Sequence, residues 1–186
     1  MTSAFVRIAA ALFGALALTG CVSVLERAQP LEVRYGNDIH FETVGLCEAL
    51  LELEGTEVQS LAGSWKDNAF AAQVVRKRTP EKLTIIFLAP QMRLVTITLT
   101  PPHALRCERA PQIPAAFEPE YALVDMACIN LETERLRKAL PDLRIEDDGK
   151  KRGVFFKDTP LCELVRLEEG GLHYVNRLYG YEYTIH

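Results

Sequence analysis

The sequence predicts an α+β domain, built from an antiparallel meander, a helical insert and a second run of short strands. Three observations carry this reading. Residues 56–109 break into short segments of strand character separated by brief turns. Residues 119–140 carry apolar side chains at steps of three and four. Residues 143–185 return to short strands parted by Gly, Asp and Pro.

Taken in order, residues 31–53 are ambiguous. Val33, Tyr35, Ile39 and Phe41 alternate around Gly36-Asn37-Asp38, as a hairpin would. Leu46–Leu53 reads equally as a helical turn or a strand. The meander follows as Thr56–Ser64, Asn68–Lys77, Lys82–Leu88 and Arg93–Thr100, with His103–Arg109 behind Pro101-Pro102. In Arg93–Thr100 the residues Val95, Ile97 and Leu99 alternate with threonines, which marks one buried and one polar face. Five prolines between 101 and 119 punctuate a loop, and Pro119 sits where a first helical residue is favoured. Ala122, Met126, Ile129, Thr133, Leu136 and Leu140 then mark one helical face. Asn130 reads as a cap that restarts the helix, so one kinked or two short helices are predicted. Leu143–Asp147, Arg152–Lys157, Leu161–Leu167, Leu172–Arg177 and Tyr181–Ile185 complete roughly nine or ten strands.

The N-terminus carries an address. Arg7 precedes an uninterrupted apolar run, Ile8–Leu18, and then Leu18-Thr19-Gly20-Cys21. That is the layout of an export signal closed by a lipobox. As a helix the run is about 16 Å long, short of a bilayer core of roughly 30 Å. Residues 1–20 are therefore expected to be a signal peptide and Cys21 the acylated first residue. Residues 21–30 are expected to form a tether reaching at most ~30 Å, and residues 31–186 a single domain. Two or more acyl chains hold a protein stably on a membrane.

The formal net charge is −4 and no basic run exceeds three residues, so nucleic-acid binding is not expected. Arg76-Lys77-Arg78 and Lys150-Lys151-Arg152 read as solvated turns. Cys47, Cys107, Cys128 and Cys162 permit two disulfides in an oxidising compartment, in any of three pairings. His40, His103, His173 and His186 share no metal-ligand spacing, and Gly63-Ser64-Trp65 lacks the second glycine of a nucleophile elbow. No metal, cofactor or enzymatic activity is expected on these grounds. Asp125 lies inside the apolar run Tyr121–Ile129, where an unpaired carboxylate is costly. It is expected to fix the helix to a strand.

Several segments resemble LolB-like outer-membrane lipoproteins. They are Phe70-Ala71-Ala72-Gln73-Val74, Leu88-Ala89-Pro90-Gln91-Met92-Arg93-Leu94, Glu120-Tyr121-Ala122-Leu123-Val124-Asp125, Leu143–Gly149 and Tyr179–Ile185. The chain departs from that pattern where Leu131-Glu132 replaces a frequent Trp-Pro and Gln91 a frequent Gly. The resemblance implies a curved antiparallel half-barrel, LolB/LolA-like, wrapped around its helices. It also implies a place in the outer membrane facing the periplasm, with Val22 after Cys21 in keeping with that address. A LolA-like carrier or an MMPL-type exporter would be the partner, and the cargo an acyl or aryl-polyene lipid or a lipoprotein.

A curved sheet closed over helices makes an apolar trough. Its candidate lining is Phe70, Ile85, Phe87, Val95, Ile97, Leu99, Met126, Leu136, Phe156 and Tyr183. The rival readings are a fully packed scaffold lipoprotein and, third, a lipid hydrolase or acyltransferase.

Overall fold

A computed structural model describes residues 23–28, 32–35, 39–42, 44–65, 68–90, 92–102, 104–113 and 117–186. The lipobox with Cys21 lies outside the described residues, as do Gly36-Asn37-Asp38, Lys66, Asp67, Gln91, His103 and Pro114.

Eleven strands form one open antiparallel sheet. They are β1 (Ser23–Ala28), β4 (Thr56–Trp65), β5 (Asn68–Thr79), β6 (Lys82–Ala89), β7 (Met92–Thr100), β8 (Ala104–Arg109), β9 (Leu143–Asp147), β10 (Lys151–Phe156), β11 (Thr159–Arg166), β12 (Leu172–Asn176) and β13 (Tyr181–Ile185). Their spatial order is β1-β8-β7-β6-β5-β4-β13-β12-β11-β10-β9. Each run of strands is thus a meander, and β4 pairing with β13 welds the two meanders together. A separate hairpin pairs β2 (Glu32–Tyr35) with β3 (Ile39–Glu42). Three short helices, α1 (Val44–Leu51), α2 (Pro119–Asn130) and α3 (Thr133–Ala139), complete an α+β fold consistent with a curved half-barrel.

Register decides which side chains share a face, because they alternate across a strand. One cross-strand row runs Asp147, Arg152, Leu164, Tyr174, Tyr183, Gly63, Phe70. A second runs Ile85, Ile97, Cys107, Leu25. These rows belong to the inner face, on which the helices lie. Leu46, Cys47 and Leu50 of α1 and Leu123, Met126, Ala127 and Cys128 of α2 pack into the same buried cluster. Leu46, Cys47 and Leu50 are spaced for one helical face, which resolves the ambiguity of Leu46–Leu53 as helix. A Cβ on Gly45 would come 2.9 Å from the Ala139 carbonyl oxygen, so glycine there lets α1 and α3 cross closely.

Four local expectations are corrected. Ser23–Ala28, within the presumed tether, is a strand paired with β8, because Leu25 continues the inner-face row of Ile97 and Cys107. The helical insert is two helices, but Asn130 does not cap the second. Its amide donates back to the Met126 carbonyl at 2.9 Å, and Glu132 precedes α3. The first basic triplet is not a solvated turn, and the second is one only at Lys150, in the exposed β9–β10 connection. Arg76 and Arg78 lie within β5, where Arg78 Nε donates to the Leu51 carbonyl at the end of α1. Arg152 is buried within β10. In each case an arginine reaches a backbone carbonyl that a helix or loop leaves unpaired. The four cysteines described are free thiols, all buried.

Candidate functional site

Three places concentrate polar or unusually exposed apolar groups. The first is buried between α2 and the β12–β13 hairpin. The hydroxyls of Tyr174 and Tyr181 donate to the two oxygens of the Asp125 carboxylate, and the Asn176 amide lies 3.5 Å from Asp125 Oδ1. Asn176 also donates to the Tyr181 hydroxyl oxygen at 2.9 Å, and its own carbonyl accepts the backbone N–H groups of Leu178 and Tyr179. Burial pushes the Asp125 carboxyl up to about 6, against the opposing pull of these donors. Burial likewise holds the Tyr174 and Tyr183 hydroxyls protonated, well above the usual range. Around this network Tyr183 stacks on Tyr174 at 5.1 Å, Phe70 meets Tyr183 edge-on at 6.5 Å, and Tyr121 of α2 packs on Tyr179 at 4.8 Å. The chemistry is that of a fixed joint. The carboxylate is enclosed, its acceptors are occupied, and it pins the helix to two strands as anticipated for Asp125.

The second place is the elbow between α2 and α3. Arg152 Nη1 donates to the Cys128 and Leu131 carbonyls at 2.6 and 2.8 Å. Its Nε donates to Asp147 Oδ2 at 2.8 Å, and the Thr133 hydroxyl donates to the same oxygen at 2.7 Å. Burial raises the Asp147 carboxyl, but the bonds from Thr133 and Arg152 outweigh it and hold the group well below the ordinary carboxylate range. A shallow hollow of about 560 Å³ lies over this network. Its arginines are engaged: Arg137 by the Ile145 carbonyl, Arg166 by the Gly149 carbonyl. The elbow is a helix-terminating clamp.

The third place is a groove of about 840 Å³ formed by β4, β5, β6 and β7 with the C-terminal His186. Ala62, Ala71, Leu88, Ala89, Pro90 and Met92 supply its apolar wall, and Ser60, Gln73, Arg93 and His186 its polar positions. Ser60 pairs with Gln73 and Ala62 with Ala71, so these four point away from the inner face that carries Gly63 and Phe70. The groove therefore sits chiefly on the outer face. Small side chains make it: alanines stand where bulkier residues would fill it.

The ten residues expected to line a trough do share the inner side, but they are divided in environment. Ile85, Val95, Ile97, Leu99, Met126, Leu136 and Tyr183 are buried in one continuous apolar cluster. Phe87 and Phe156 pack against that cluster, half-buried. Phe70 is exposed, at 37%. None of the ten borders the groove. The groove residues escaped notice because alanines carry no periodic signal. The Ala62/Ala71 pair becomes visible only once the β4–β5 register is known. Arg152 escaped because a lysine–lysine–arginine string resembles a turn. Among the described residues no three His, Cys, Asp or Glu side chains gather as a metal site.

No curated protein matches the chain. Residues 56–186, from β4 to the last strand and including α2 and α3, match the family described as Protein of unknown function (DUF3261). That span holds all three places described above and more than half of the sequence. The chain therefore belongs to this family.

Proposed function

We propose that this protein is a lipid-anchored envelope protein, acylated at Cys21, that holds an acyl-chain-bearing molecule in the outer-face groove and performs no chemistry on it. One observation carries the reading. The groove is apolar, open and of the size that takes a small ligand, and of the described core residues only Leu61 borders it. An apolar recess whose few polar groups, Arg93, His186, Gln73 and Ser60, stand together with its apolar wall suits a molecule with a hydrocarbon part and a polar head. An open sheet with helices on one face is what a LolB-like half-barrel requires. The lipobox supports the lipid anchor, and Val22 after Cys21, with the resemblance to LolB-like lipoproteins, supports an outer-membrane address facing the periplasm. An acyl or aryl-polyene lipid, or a lipoprotein, would be handed over by a LolA-like carrier or an MMPL-type exporter. Transfer would follow the better apolar fit and need no nucleotide.

Full-length protein extracted from membranes tests this. Mass spectrometry is expected to find Cys21 carrying acyl chains. A fluorescent fatty-acid probe is expected to bind saturably and to be displaced by extracted envelope lipid. An unmodified Cys21 would overturn the anchor, and absence of saturable binding would overturn the carrier.

The scaffold reading has one observation in its favour, the dense packing of the inner face. Ile97 and Leu99, at 0% exposure, are typical of it. It predicts an acylated protein that binds no probe.

A further inference from the structure

The first described strand begins two residues after the proposed anchor. Consecutive Cα atoms are about 3.8 Å apart, so Cys21 lies within ~8 Å of Ser23, and Ser23 is locked into the sheet opposite Arg109. Arg109 pairs in turn with Val95. The start of β1, the end of β8, the start of β7, the end of β6, the start of β5 and the end of β4 therefore lie at one end of the sheet.

That end is where the molecule exposes its large apolar side chains. Val24 is 50% exposed, Met92 44%, Trp65 40% and Phe70 37%. Among the described residues the other exposed large apolar side chains are Val58, near the start of β4, and Leu167, just after β11. The polar α2–α3 elbow, with Asp147, Arg152 and Arg166, lies at the β9 edge of the sheet, the far side from β1. A tryptophan, a phenylalanine and a methionine presented together at one end fit the interfacial layer of a bilayer, where an aromatic ring keeps one edge wet. Arg93, exposed beside Met92, adds a cation at headgroup level.

We propose that the sheet end bearing Trp65, Phe70 and Met92 rests in the surface of the bilayer that holds the Cys21 acyl chains. The domain stands end-on. The groove, bordered by Ala89, Pro90 and Met92, then opens beside the membrane surface. This rests on the anchor proposed above, and not on what the groove binds.

Trp65 is the chain's sole tryptophan, so its emission reports on this end alone. Full-length acylated protein is reconstituted into vesicles of phosphatidylethanolamine and phosphatidylglycerol, with or without lipids brominated high on the acyl chain. The expected result is emission shifted to the blue and quenched at least twofold by the brominated lipid, with weak quenching by aqueous acrylamide. The F70E/M92E double variant, its fold checked by circular dichroism, is expected to float with vesicles as before but to lose most of that quenching. Wild-type protein that floats with the vesicles while Trp65 is quenched by acrylamide and untouched by brominated lipid overturns the orientation and leaves the anchor standing. Protein that neither floats nor carries acyl mass overturns the anchor and the orientation together.

Discussion

The Tyr174 hydroxyl donates to Asp125 Oδ1 across 49 residues of chain, joining the middle of α2 to β12. The Tyr181 hydroxyl takes the other carboxylate oxygen from β13. Because the carboxyl is raised to about 6 from an ordinary 3.8, the folded state binds a proton that the unfolded state releases. Stability therefore falls as pH rises from about 4 toward 7. Two pH units at roughly 1.4 kcal/mol each bound the effect near 3 kcal/mol. Urea unfolding at pH 5 and pH 7.5 should find the wild type more stable at the lower pH, and D125N should flatten that difference. D125A should lower the melting temperature, since it leaves the buried Tyr174 hydroxyl and the half-buried Tyr181 hydroxyl without their acceptor, at about 1–3 kcal/mol. An unaltered melting temperature in D125A would remove the structural role assigned to this carboxylate.

Arg152 and Asp147 make the opposite demand on pH. Their side chains are 4% and 8% exposed, so removal of either strands a buried charge. R152A is expected to cost about 3–5 kcal/mol, the more so because the Cys128 and Leu131 carbonyls lose their donor as well. R152K should recover little, since one ammonium cannot occupy the Nε and Nη1 positions together. Asp147 has a depressed carboxyl in the folded state. Its contribution is present above the unfolded value near 3.8 and is lost as pH falls through that range toward the folded value. Acid unfolding monitored by circular dichroism should show a steep loss below about pH 4 that R152A blunts.

Gly63 holds the seam between the two meanders. A Cβ there would lie 2.1 Å from the Glu182 carbonyl oxygen and 2.6 Å from Tyr183 Cβ. Both are fixed by the β4–β13 ladder, so one strand must move. The absent side chain also lets Phe70 reach the Tyr183 ring across β4. G63A should destabilise by roughly 1–3 kcal/mol, about 2–4 °C of melting temperature for each. Hydrogen exchange should show the loss of protection concentrated in β4 and β13. Uniform loss across the sheet would mean that the seam is not where the strain falls.

Much of the sheet was legible because its signals are local. The turn clusters at Thr79-Pro80-Glu81 and Glu169-Gly170-Gly171, and the alternation through Val95, Ile97 and Leu99, mark strands without knowledge of their partners. Leu143–Asp147 and Tyr181–Ile185 appear with the bounds so predicted. What stayed hidden depends on pairing. Ser23–Ala28 has too little pattern to announce itself, and only its contact with β8 makes it a strand. Arg152 is buried because Asp147 and two helix-end carbonyls await it, a fact that no neighbour in sequence reveals. The inner face was legible as a set, since odd or even spacing fixes a face, but its depth of burial depends on where the helices lie. The groove is the limiting case, built from Ala62 and Ala71, whose smallness acts only in register.

The groove and the inner face make separable predictions. Ala71 is exposed and pairs with exposed Ala62 on the outer face, so a large side chain there has room to lie down without disturbing the core. A71W should leave stability within about 0.5 kcal/mol and abolish saturable binding of a fluorescent fatty-acid probe by occupying the apolar wall. Ile97 is fully buried beneath the helices. I97A should cost about 2–5 kcal/mol through the cavity it opens, yet leave probe affinity per folded molecule unchanged. Isothermal titration below the unfolding midpoint of each variant compares them directly. The reverse pattern, with A71W binding as the wild type does and I97A altered, would move the ligand from the outer groove to the face that the helices cover.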